Sequence, residues 1–316
     1  MAASGPIAAL CGGVGAARFL SGLVAVVPPE QVVAVVNTGD DRRFYGVHVA
    51  PDLDIVTYTL AGVVDRERGF GLEGDTTHLV DALERFGHET WFRLGDRDFA
   101  TCLHRTLRME GGSGLAEVTD EIRRAFGVRP RILPMSEDPC PTFVELAGGR
   151  RLHFEEYLVR DGAPSDVVAV DLSAAARARP APGVLEVLAA ARAVLICPSN
   201  PVVSVGPILA VPGIREAIRG GRAPVVAVSP IVGGAPIKGP ADRLLRAVGA
   251  RVSAAGVAEF YGELLTGFVL DARDAGELEE IRSRGIEAVA VDTIMRNPER
   301  AAELARTALR LAGVPA

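Results

Sequence analysis

Cysteine is scarce in this chain of 316 residues, and its four thiols stand far apart. Cys11, Cys102, Cys140 and Cys197 include no Cys-x-x-Cys pair, which disfavours a zinc site built from them. No apolar run approaches the roughly 18 residues that span a bilayer, and no charged segment followed by an apolar one marks a signal peptide. We therefore expect a cytoplasmic protein with reduced thiols and no membrane partner.

Basic residues are also fewer than acidic ones. The chain has 34 lysines and arginines against 40 acidic residues, a net charge of −6, which argues against binding to nucleic acid or to a membrane surface. An anionic ligand would have to be held by local basic groups and backbone N–H groups. Lys238 is the single lysine, and we predict that it contacts a phosphate as a point charge. The alternative is an ordinary exposed lysine.

Short apolar strands, by contrast, are abundant and are separated by helical segments. Hydrophobic residues make up 48% of the chain, enough to bury a sizeable core. Strands rich in Val and Ile alternate with helices at both ends of the chain. This alternation predicts an α/β fold with a Rossmann-like, doubly wound and mainly parallel sheet. We assign residues 1–64 and 166–316 to this core, with residues 166–172 as one of its strands.

The middle of the chain, residues 65–165, differs from the two ends. It is mainly helical at first and then has three short strand-like segments, the first at residues 129–135. Gly148 and Gly149 give a hairpin signal between the last two. We interpret this region as a mostly helical insertion that carries a small antiparallel element. In the core before it, Pro51 is well placed to start a helix.

The loops that follow the predicted strands are rich in Gly, Pro, Asn, Ser and Asp. In doubly wound sheets, ligands bind outside the carboxyl ends of the strands. The segments GGVG, NTGDD, PSNP and SPIVGGAPIKG therefore mark the predicted site. In the third segment, Asn and Ser side chains can hydrogen-bond a base or a ribose, while prolines hold the loop rigid.

The first of these loops fits neither of the two familiar phosphate-binding patterns. Gly13 and Gly15 match the start of the dinucleotide fingerprint, but Arg18 stands where a small residue is needed and Asn37 where an acidic one is expected. The Walker pattern fails at Ala17 and Arg18. Glycines before a helix N-terminus still allow backbone N–H groups to approach an anion. The alternative is a tight turn between a strand and a helix.

Four carboxylates follow this loop closely in the sequence. Asp40, Asp41, Asp52 and Asp54 fall around a predicted strand end and the start of the next helix. Carboxylates beside a phosphate loop suit Mg²⁺, which takes one or two of them together with phosphate oxygens. One of them could also accept a hydroxyl proton. The alternative is that these residues form a turn and cap a helix.

Within the insertion, Trp91 is the single tryptophan, and Arg93, Asp96 and Asp98 stand beside it. An apolar plane next to hydrogen-bonding groups suits a flat aromatic ligand. The alternative is a partly buried tryptophan beside a helix-capping turn. No Ser–His–Asp or Cys–His arrangement is legible in the sequence.

Taken in order, these motifs resemble the 2-phospho-L-lactate transferase family of coenzyme F-420 biosynthesis over nearly the whole chain. The matching segments are GGVGAARFLSGL, VVNTGDD, PDLDIVTYTLAG, EGDTTH, RLGDRD, ILPMSEDPCPTFVE, PSNPVVSVGPIL, SPIVGGAPIKGPA and GVAEFYG. The resemblance implies transfer of a phosphate-linked three-carbon acid from a guanosine-diphosphate-activated donor to the terminal ribityl hydroxyl of the deazaflavin Fo, with release of GMP. It also implies a requirement for Mg²⁺ and a homodimer.

The resemblance further implies roles for particular residues. Asp54, the last residue of PDLD, and Arg93, the basic residue before LGD, would contact Fo. The other residues expected near Fo are Trp91, Thr77 and His78. The residues expected to hold the donor are Gly12, Gly13, Gly15, Asn37, Thr38, Ser199, Asn200, Ser204, Lys238 and Gly239. The residues expected to hold the metal and to orient the attacking hydroxyl are Asp40, Asp41 and Asp54.

The segment GGVGAAR departs from the GGTGTPK of archaeal-type members and resembles the actinobacterial branch. That branch implies a phosphoenolpyruvate-derived donor rather than phospholactate. Two rival functions are less well supported. A nucleotide-sugar-binding regulator without catalysis would not need the carboxylate cluster or the RLGDRD segment. A nicotinamide-dependent oxidoreductase is disfavoured by Arg18 and Asn37.

Overall fold

A seven-stranded sheet lies at the centre of the protein in the computed structural model, which describes residues 5–315. The strands are β1 Ile7–Cys11, β2 Val32–Val36, β3 Arg42–Phe44, β4 Val47–Val49, β5 Arg131–Pro134, β6 Phe143–Leu146, β7 Arg151–His153, β8 Val167–Asp171, β9 Ala193–Ile196, β10 Val225–Val228, β11 Ile231–Val232, β12 Ala235–Pro236, β13 Gly267–Asp271 and β14 Glu287–Val291. Seven of them form the central sheet and the others form three small antiparallel sheets.

Helices connect most of these strands. They are α1 Gly13–Val24, α2 Pro51–Ala61, α3 His78–Glu84, α4 Asp96–Glu110, α5 Leu115–Ala125, α6 Val184–Ala190, α7 Gly206–Ala210, α8 Ile214–Gly220, α9 Ala241–Ala247, α10 Ala254–Tyr261, α11 Leu278–Arg282 and α12 Pro298–Leu311. Pro51 is the first residue of α2, as the sequence predicts. Within residues 5–315, no single helix has the length and apolar content to cross a membrane. The segments Pro201–Ala210 and Ile214–Gly220 meet these two criteria only when they are counted together, and they are bent relative to each other.

The central sheet confirms the doubly wound α/β fold. Its order is β14-β13-β10-β9-β1-β2-β5, and every neighbouring pair is parallel. The chain runs outward from β1 through β2 to β5, returns to β9 on the other side of β1, and then runs outward through β10, β13 and β14. The winding therefore reverses between β1 and β9, where the loops at the carboxyl ends diverge and open a crevice.

Burial on both faces explains why the central strands are continuous apolar runs. Every residue of β1, β2, β9 and β10 is buried, because helices cover both sides of the sheet. Alternate side chains of β1 enter two separate cores. Ile7 and Ala9 belong to the core that includes α1 and α12, while Ala8 and Leu10 belong to the core that includes α6 and α10.

Two short strands pair differently from the sequence-based expectation. The sequence places residues 129–135 in the antiparallel element, whereas β5 is the parallel edge strand beside β2, with Val33 opposite Arg131. The sequence places residues 166–172 in the parallel sheet, whereas β8 pairs antiparallel with β6. A short apolar run fits either kind of strand, and tertiary packing selects its partner. The rest of the division into core and insertion stays a prediction.

The hairpin predicted at Gly148 and Gly149 is present and joins β6 to β7. Both glycines have a φ of +86°, in the left-handed region that side chains disfavour. With β8 on the other side of β6, this hairpin forms a three-stranded antiparallel sheet. The small antiparallel element expected in the insertion therefore exists, although β8 comes from the segment assigned to the core.

The close approach of α1 and α12 depends on Gly22. A Cβ on Gly22 would lie 2.2 Å from the backbone carbonyl carbon of Ala301 in α12. We predict that Gly22→Ala lowers the free energy of unfolding by about 1–3 kcal/mol, the usual cost of overpacking a core. Urea unfolding followed by circular dichroism measures this loss.

Gly220→Ala is the matched control for this substitution. Gly220 is the last residue of α8, and a Cβ there would meet nothing within 4 Å. We expect this variant to be as stable as the wild type or slightly more stable, because alanine favours a helix over glycine. Equal losses in the two variants would contradict the close packing of α1 on α12.

Candidate active site

A cavity of about 850 Å³ opens at the carboxyl edge of the central sheet. It lies where the winding reverses, between the loops after β1, β2, β9 and β10, and residues of the insertion also line it. The lining includes these residues singled out from the sequence: Gly12, Gly13, Gly15, Asp40, Asp54, Trp91, Arg93, Ser199, Asn200, Ser204, Lys238 and Gly239. The fold thus brings most of the candidate site together, while the role of each residue stays a prediction.

Asp52 connects the loops that begin this site. Its Oδ1 accepts a hydrogen bond from the Gly13 N–H at 2.7 Å, and its Oδ2 accepts one from Asn37 Nδ2 at 2.9 Å. Asn37 Nδ2 also donates to the Val203 carbonyl oxygen at 3.3 Å, while Asn37 Oδ1 accepts from the Gly39 N–H at 2.9 Å. Asn37 is fully buried and is not part of the cavity wall. Its polar groups connect loops, and its predicted contact with the donor stays a prediction.

The end of the cavity next to β1 favours an anion. α1 begins at Gly13, and the N-terminus of a helix carries partial positive charge, part of which the carboxylate of Asp52 already meets through the Gly13 N–H. Gly15 lets α1 pack against the loop after β9, because a Cβ there would lie 2.4 Å from the Pro198 carbonyl oxygen. Arg18 and Lys238 are exposed residues of the same cavity wall. These groups supply the local positive charge that an anionic ligand needs in an acidic protein.

A segment of the insertion reaches this end of the cavity. Lys238 Nζ donates to the Arg68 carbonyl oxygen at 2.9 Å and lies 5.8 Å from the centre of the Phe70 ring. The contact connects the loop after β12 to the insertion. The ammonium group retains two further N–H donors for a ligand, so the structure is compatible with the predicted phosphate contact.

The loop after β9 adds polar groups to the same region. Ser199 Oγ accepts a hydrogen bond at 3.4 Å from the Gly12 N–H. Asn200 Oδ1 accepts from the backbone N–H groups two and three residues further on, at 3.0 and 3.3 Å. This capping leaves the amide nitrogen of Asn200 to donate to a ligand. Ser204, at 8% exposure, lines the cavity one turn later.

The three carboxylates predicted to share a metal differ in their surroundings. Asp41 is not part of the cavity wall, and its Oδ2 lies 3.1 Å from His48 Nε2. Asp54 reaches the cavity but is paired with the buried guanidinium of Arg105. Asp40 is 5% exposed, and its Oδ1 has no hydrogen-bond partner among the described residues. Each carboxylate has a different polar partner, and among the described residues the three do not form a group whose ligand atoms all lie within 4.8 Å of one another, so their sharing of one metal stays a prediction.

A different group of possible ligands lies around Asp54. The ligand atoms of Asp54, Asp98 and Cys102 lie within 4.8 Å of one another. Arg105 already neutralises Asp54, and Mg²⁺ prefers hard oxygen ligands to a thiol. This group therefore does not fit Mg²⁺. Asp40 fits it better, because a buried carboxylate oxygen without a partner is the kind of ligand that a hard cation satisfies.

The ion pair of Asp54 and Arg105 is buried in the wall of the cavity. Arg105 is 1% exposed, and its Nη1 donates to the His48 carbonyl oxygen at 3.1 Å. Asp98, also in the wall, accepts a hydrogen bond from the Tyr58 hydroxyl at 2.7 Å. Burial and, next, the negative charge of Asp54 raise the pKa of Asp98 to about 7. Asp98 can therefore exchange a proton near neutral pH.

Aromatic residues of the insertion form another part of the cavity wall. Trp91 and Phe92 line the cavity, and Trp91 packs edge-on against Phe44, with ring centroids 5.2 Å apart. Tyr58 and Phe154 add further rings to the lining. Because Trp91 is only half-buried, one part of its indole can contact a ligand while another part packs on its neighbours. This wall suits a flat aromatic ligand.

Three other predicted residues lie away from the cavity wall. Thr77 Oγ1 accepts a hydrogen bond from Arg93 Nη2 at 2.7 Å and thus contacts a cavity residue rather than the cavity. His78 is exposed at the start of α3, and Thr38 is buried at 3% exposure. Their predicted contacts with Fo or the donor therefore stay predictions.

The structure also identifies cavity residues that the sequence analysis missed. Arg18 entered that analysis only as a departure from a fingerprint, although its position three residues after Gly15 places both on one face of α1. Glu155 is 5% exposed and lines the cavity. Burial, followed by the charges of Asp52 and Asp41, raises the pKa of Glu155 to about 8. No local pattern in the sequence singles out Glu155.

Comparisons with known proteins agree with one another. The family profile described as 2-phospho-L-lactate transferase CofD matches residues 7–309. A phosphoenolpyruvate transferase of Kitasatospora aureofaciens is 46% identical over 312 residues, covering 97% of each chain. A 2-phospho-L-lactate transferase of Methanosarcina acetivorans is 41% identical over 296 residues, covering 94% of this chain and 95% of its own.

A solved structure shows the same fold. It is a UPF0052 family protein of Bacillus halodurans, with a TM-score of 0.65 and 16% sequence identity, and the alignment covers 96% of this chain and 98% of that one. At this level of identity, the likeness extends to the fold alone.

Removing Arg105 should destabilise the protein strongly, because the buried carboxylate of Asp54 would lose its partner. We predict that Arg105→Met lowers the free energy of unfolding by about 3–5 kcal/mol. Adding Asp54→Asn to that variant should restore part of the loss, since the unpaired charge is then gone. Urea unfolding of the two single variants and the double variant measures this coupling.

Arg108→Met is the control for Arg105→Met. Arg108 lies one turn further along α4, and its pairs with Glu117 and Glu121 are exposed, so its loss should cost less than about 1 kcal/mol. Additive losses from Asp54→Asn and Arg105→Met would contradict the coupling of these two side chains.

The pKa of Asp98 predicts a pH dependence of stability. An acid whose pKa rises from about 3.9 in the unfolded chain to about 7 in the folded protein binds its proton more tightly when folded. Its contribution to stability is therefore lost as pH rises from about 4 to about 7. We expect Asp98→Asn to gain stability relative to the wild type across this range, measured by urea unfolding at several pH values.

Asp96→Asn serves as the control for this pH series. Hydrogen bonds from Thr76 and from backbone N–H groups lower the pKa of Asp96, so this group is already ionised in both states above about pH 5. We expect the difference between Asp96→Asn and the wild type to stay constant from pH 5 to pH 8. Parallel pH profiles for Asp98→Asn and the wild type would contradict the raised pKa of Asp98.

Proposed function

Since the chain belongs to the 2-phospho-L-lactate transferase family CofD and is a transferase of coenzyme F-420 biosynthesis, we propose that it transfers a phosphate-linked three-carbon acid to the deazaflavin Fo. The donor is a GDP-activated acid, the acceptor is the terminal ribityl hydroxyl of Fo, and the second product is GMP. With a phosphoenolpyruvyl unit the product is dehydro-F-420-0, and with a 2-phospho-L-lactyl unit it is F-420-0.

The observation that carries this proposal is that one cavity combines an anionic-ligand end with an aromatic wall. Arg18, Lys238 and the start of α1 lie at one end, and Trp91 and Phe92 form the wall. The volume of about 850 Å³ lies within the range that holds small-molecule ligands. A nucleotide-linked donor and a tricyclic acceptor would need this combination of surfaces in one space.

The reaction asks the protein mainly for positioning and for neutralisation of charge. The ribityl oxygen forms a bond to the phosphorus that carries the acid, the bond from that phosphorus to the GMP oxygen breaks, and the hydroxyl proton leaves. Asp54, held by Arg105, can accept a hydrogen bond from the hydroxyl, and Asp98 can accept the proton near neutral pH. No covalent nucleophile is required.

Mg²⁺ also belongs to this proposal, because the family resemblance implies it and the buried oxygen of Asp40 fits it. When bound, it would neutralise phosphate charge that develops during transfer. Asp40 would hold it from the protein side, while Arg18 and Lys238 would bind the remaining phosphate oxygens. We further propose that the enzyme acts as a homodimer, as the resemblance implies.

Between the two donors, we propose the phosphoenolpyruvyl one. The relative from Kitasatospora aureofaciens carries the name phosphoenolpyruvate transferase and is 46% identical, against 41% for the 2-phospho-L-lactate transferase from Methanosarcina acetivorans. The segment GGVGAAR agrees with this choice. The alternative function is a nucleotide-sugar-binding regulator of the same fold, which would leave Fo unchanged.

The decisive experiment follows the mass of Fo. Purified protein is incubated with Fo and either GDP-linked donor, with and without Mg²⁺, and the products are weighed by mass spectrometry. We expect Mg²⁺-dependent conversion of Fo with one GMP released per Fo converted, fastest with the phosphoenolpyruvyl donor, which gives dehydro-F-420-0, whereas the phospholactyl donor would give F-420-0. Product from the phospholactyl donor alone would overturn the choice of donor, and no mass gain with either donor would overturn the proposed transfer.

A further inference from the structure

Glu155 is a buried carboxylate that the proposed reaction has not yet used. It follows β7 in the insertion, lines the cavity and is 5% exposed. Its backbone is fixed, because its N–H donates to His153 Nδ1 at 3.2 Å. Within residues 5–315, its carboxylate forms no ion pair, whereas the next residue, Glu156, is paired with Arg42 at 3.0 Å.

Backbone hydrogen bonds bring Glu155 beside Asp40. The Thr142 N–H donates to the Gly39 carbonyl oxygen at 2.8 Å, and the Phe154 N–H donates to the Thr142 carbonyl oxygen at 2.9 Å. Gly39 and Phe154 are thus linked through Thr142, and the residues that follow them are Asp40 and Glu155. Both carboxylates enter the same cavity.

This arrangement is costly without a cation. Asp40 and Glu155 are each 5% exposed, so water would screen the repulsion between them poorly once both are ionised. Neither has a guanidinium or ammonium nitrogen within 4 Å in the part of the chain that the structure describes, and Asp40 Oδ1 has no hydrogen-bond partner there. Buried charges are normally paired or bound to metal.

We propose that Glu155 and Asp40 together provide the protein ligands of the divalent cation, one from the insertion and one from the core. Mg²⁺ typically takes one or two carboxylates and completes its shell with water and substrate phosphates, and the anion-binding end of the cavity adjoins this pair. The inference deepens the proposed function, on which it rests, and it replaces Asp41 and Asp54 as ligands.

Direct metal binding tests this assignment without relying on turnover. Mn²⁺, which replaces Mg²⁺ in oxygen-rich sites, is titrated into the full-length protein, and the signal of free Mn²⁺ is followed by electron paramagnetic resonance. We expect Glu155→Gln and Asp40→Asn each to weaken Mn²⁺ binding at least tenfold. Each variant should unfold at a temperature no lower than the wild type in the absence of metal, because a neutral amide replaces one carboxyl group of a buried acidic cluster.

Glu156→Gln is the matched control, since it removes the same charge one residue away. Glu156 points to Arg42 and Arg160 and is not part of the cavity wall, so its Mn²⁺ affinity should equal that of the wild type. Unchanged affinity in Glu155→Gln, or equal weakening in Glu156→Gln, would overturn the assignment.

The outcome of this test is independent of the outcome of the test of the proposed function. If Fo gains no mass but Mn²⁺ binding depends on Glu155, the metal site stands and the transfer reaction is wrong. If the wild type converts Fo with Mg²⁺ while Glu155→Gln binds Mn²⁺ normally, the transfer reaction stands and the ligand assignment is wrong.

Discussion

The hydrogen bonds of Asp52 tie together loops that would otherwise move independently. The carboxylate accepts from Gly13 at the start of α1 and from Asn37 after β2, and Asn37 in turn donates to the loop after β9. Burial raises the pKa of Asp52 to about 6, and the bonds from Asn37 and Gly13 oppose this rise. Because the positions of α1 and of the loop with Asp40 both depend on this one group, the anion-binding end and the acidic part of the cavity are placed together.

The basic and acidic side chains around the cavity differ in their exposure to solvent. Arg18 and Lys238 are exposed, whereas Asp40 and Glu155 are buried. Exposed cations can attract a phosphate from solvent, and buried carboxylates repel it unless a metal ion lies between them. A nucleotide bound together with a divalent cation would satisfy both sets of charges, which is why we assign the metal to the acidic part and the phosphates to the basic part.

The insertion supplies the residues that distinguish this cavity from the crevice of other doubly wound proteins. A doubly wound sheet supports many functions, and the Bacillus halodurans protein shares it at 16% identity. In this chain the insertion supplies the aromatic wall around Trp91, and it also supplies Arg93, Asp98 and Glu155. The core therefore provides the crevice at the carboxyl edge of the sheet, while the aromatic wall and one of the two proposed metal ligands come from the insertion.

The sequence by itself determined the alternation of strands and helices, the start of α2 at Pro51, the hairpin at Gly148 and the cluster of loops at one edge of the sheet. These features depend on local periodicity and turn chemistry, which neighbouring residues carry. Tertiary structure alone decided that β5 is parallel and β8 antiparallel, that Arg105 pairs with Asp54, and that Glu155 lies beside Asp40. Each of these features depends on contacts between segments that are distant in the sequence. A short apolar strand can pair in either direction, and a buried charge can be paired with any residue that the fold brings next to it, so neither outcome can be predicted from neighbouring residues.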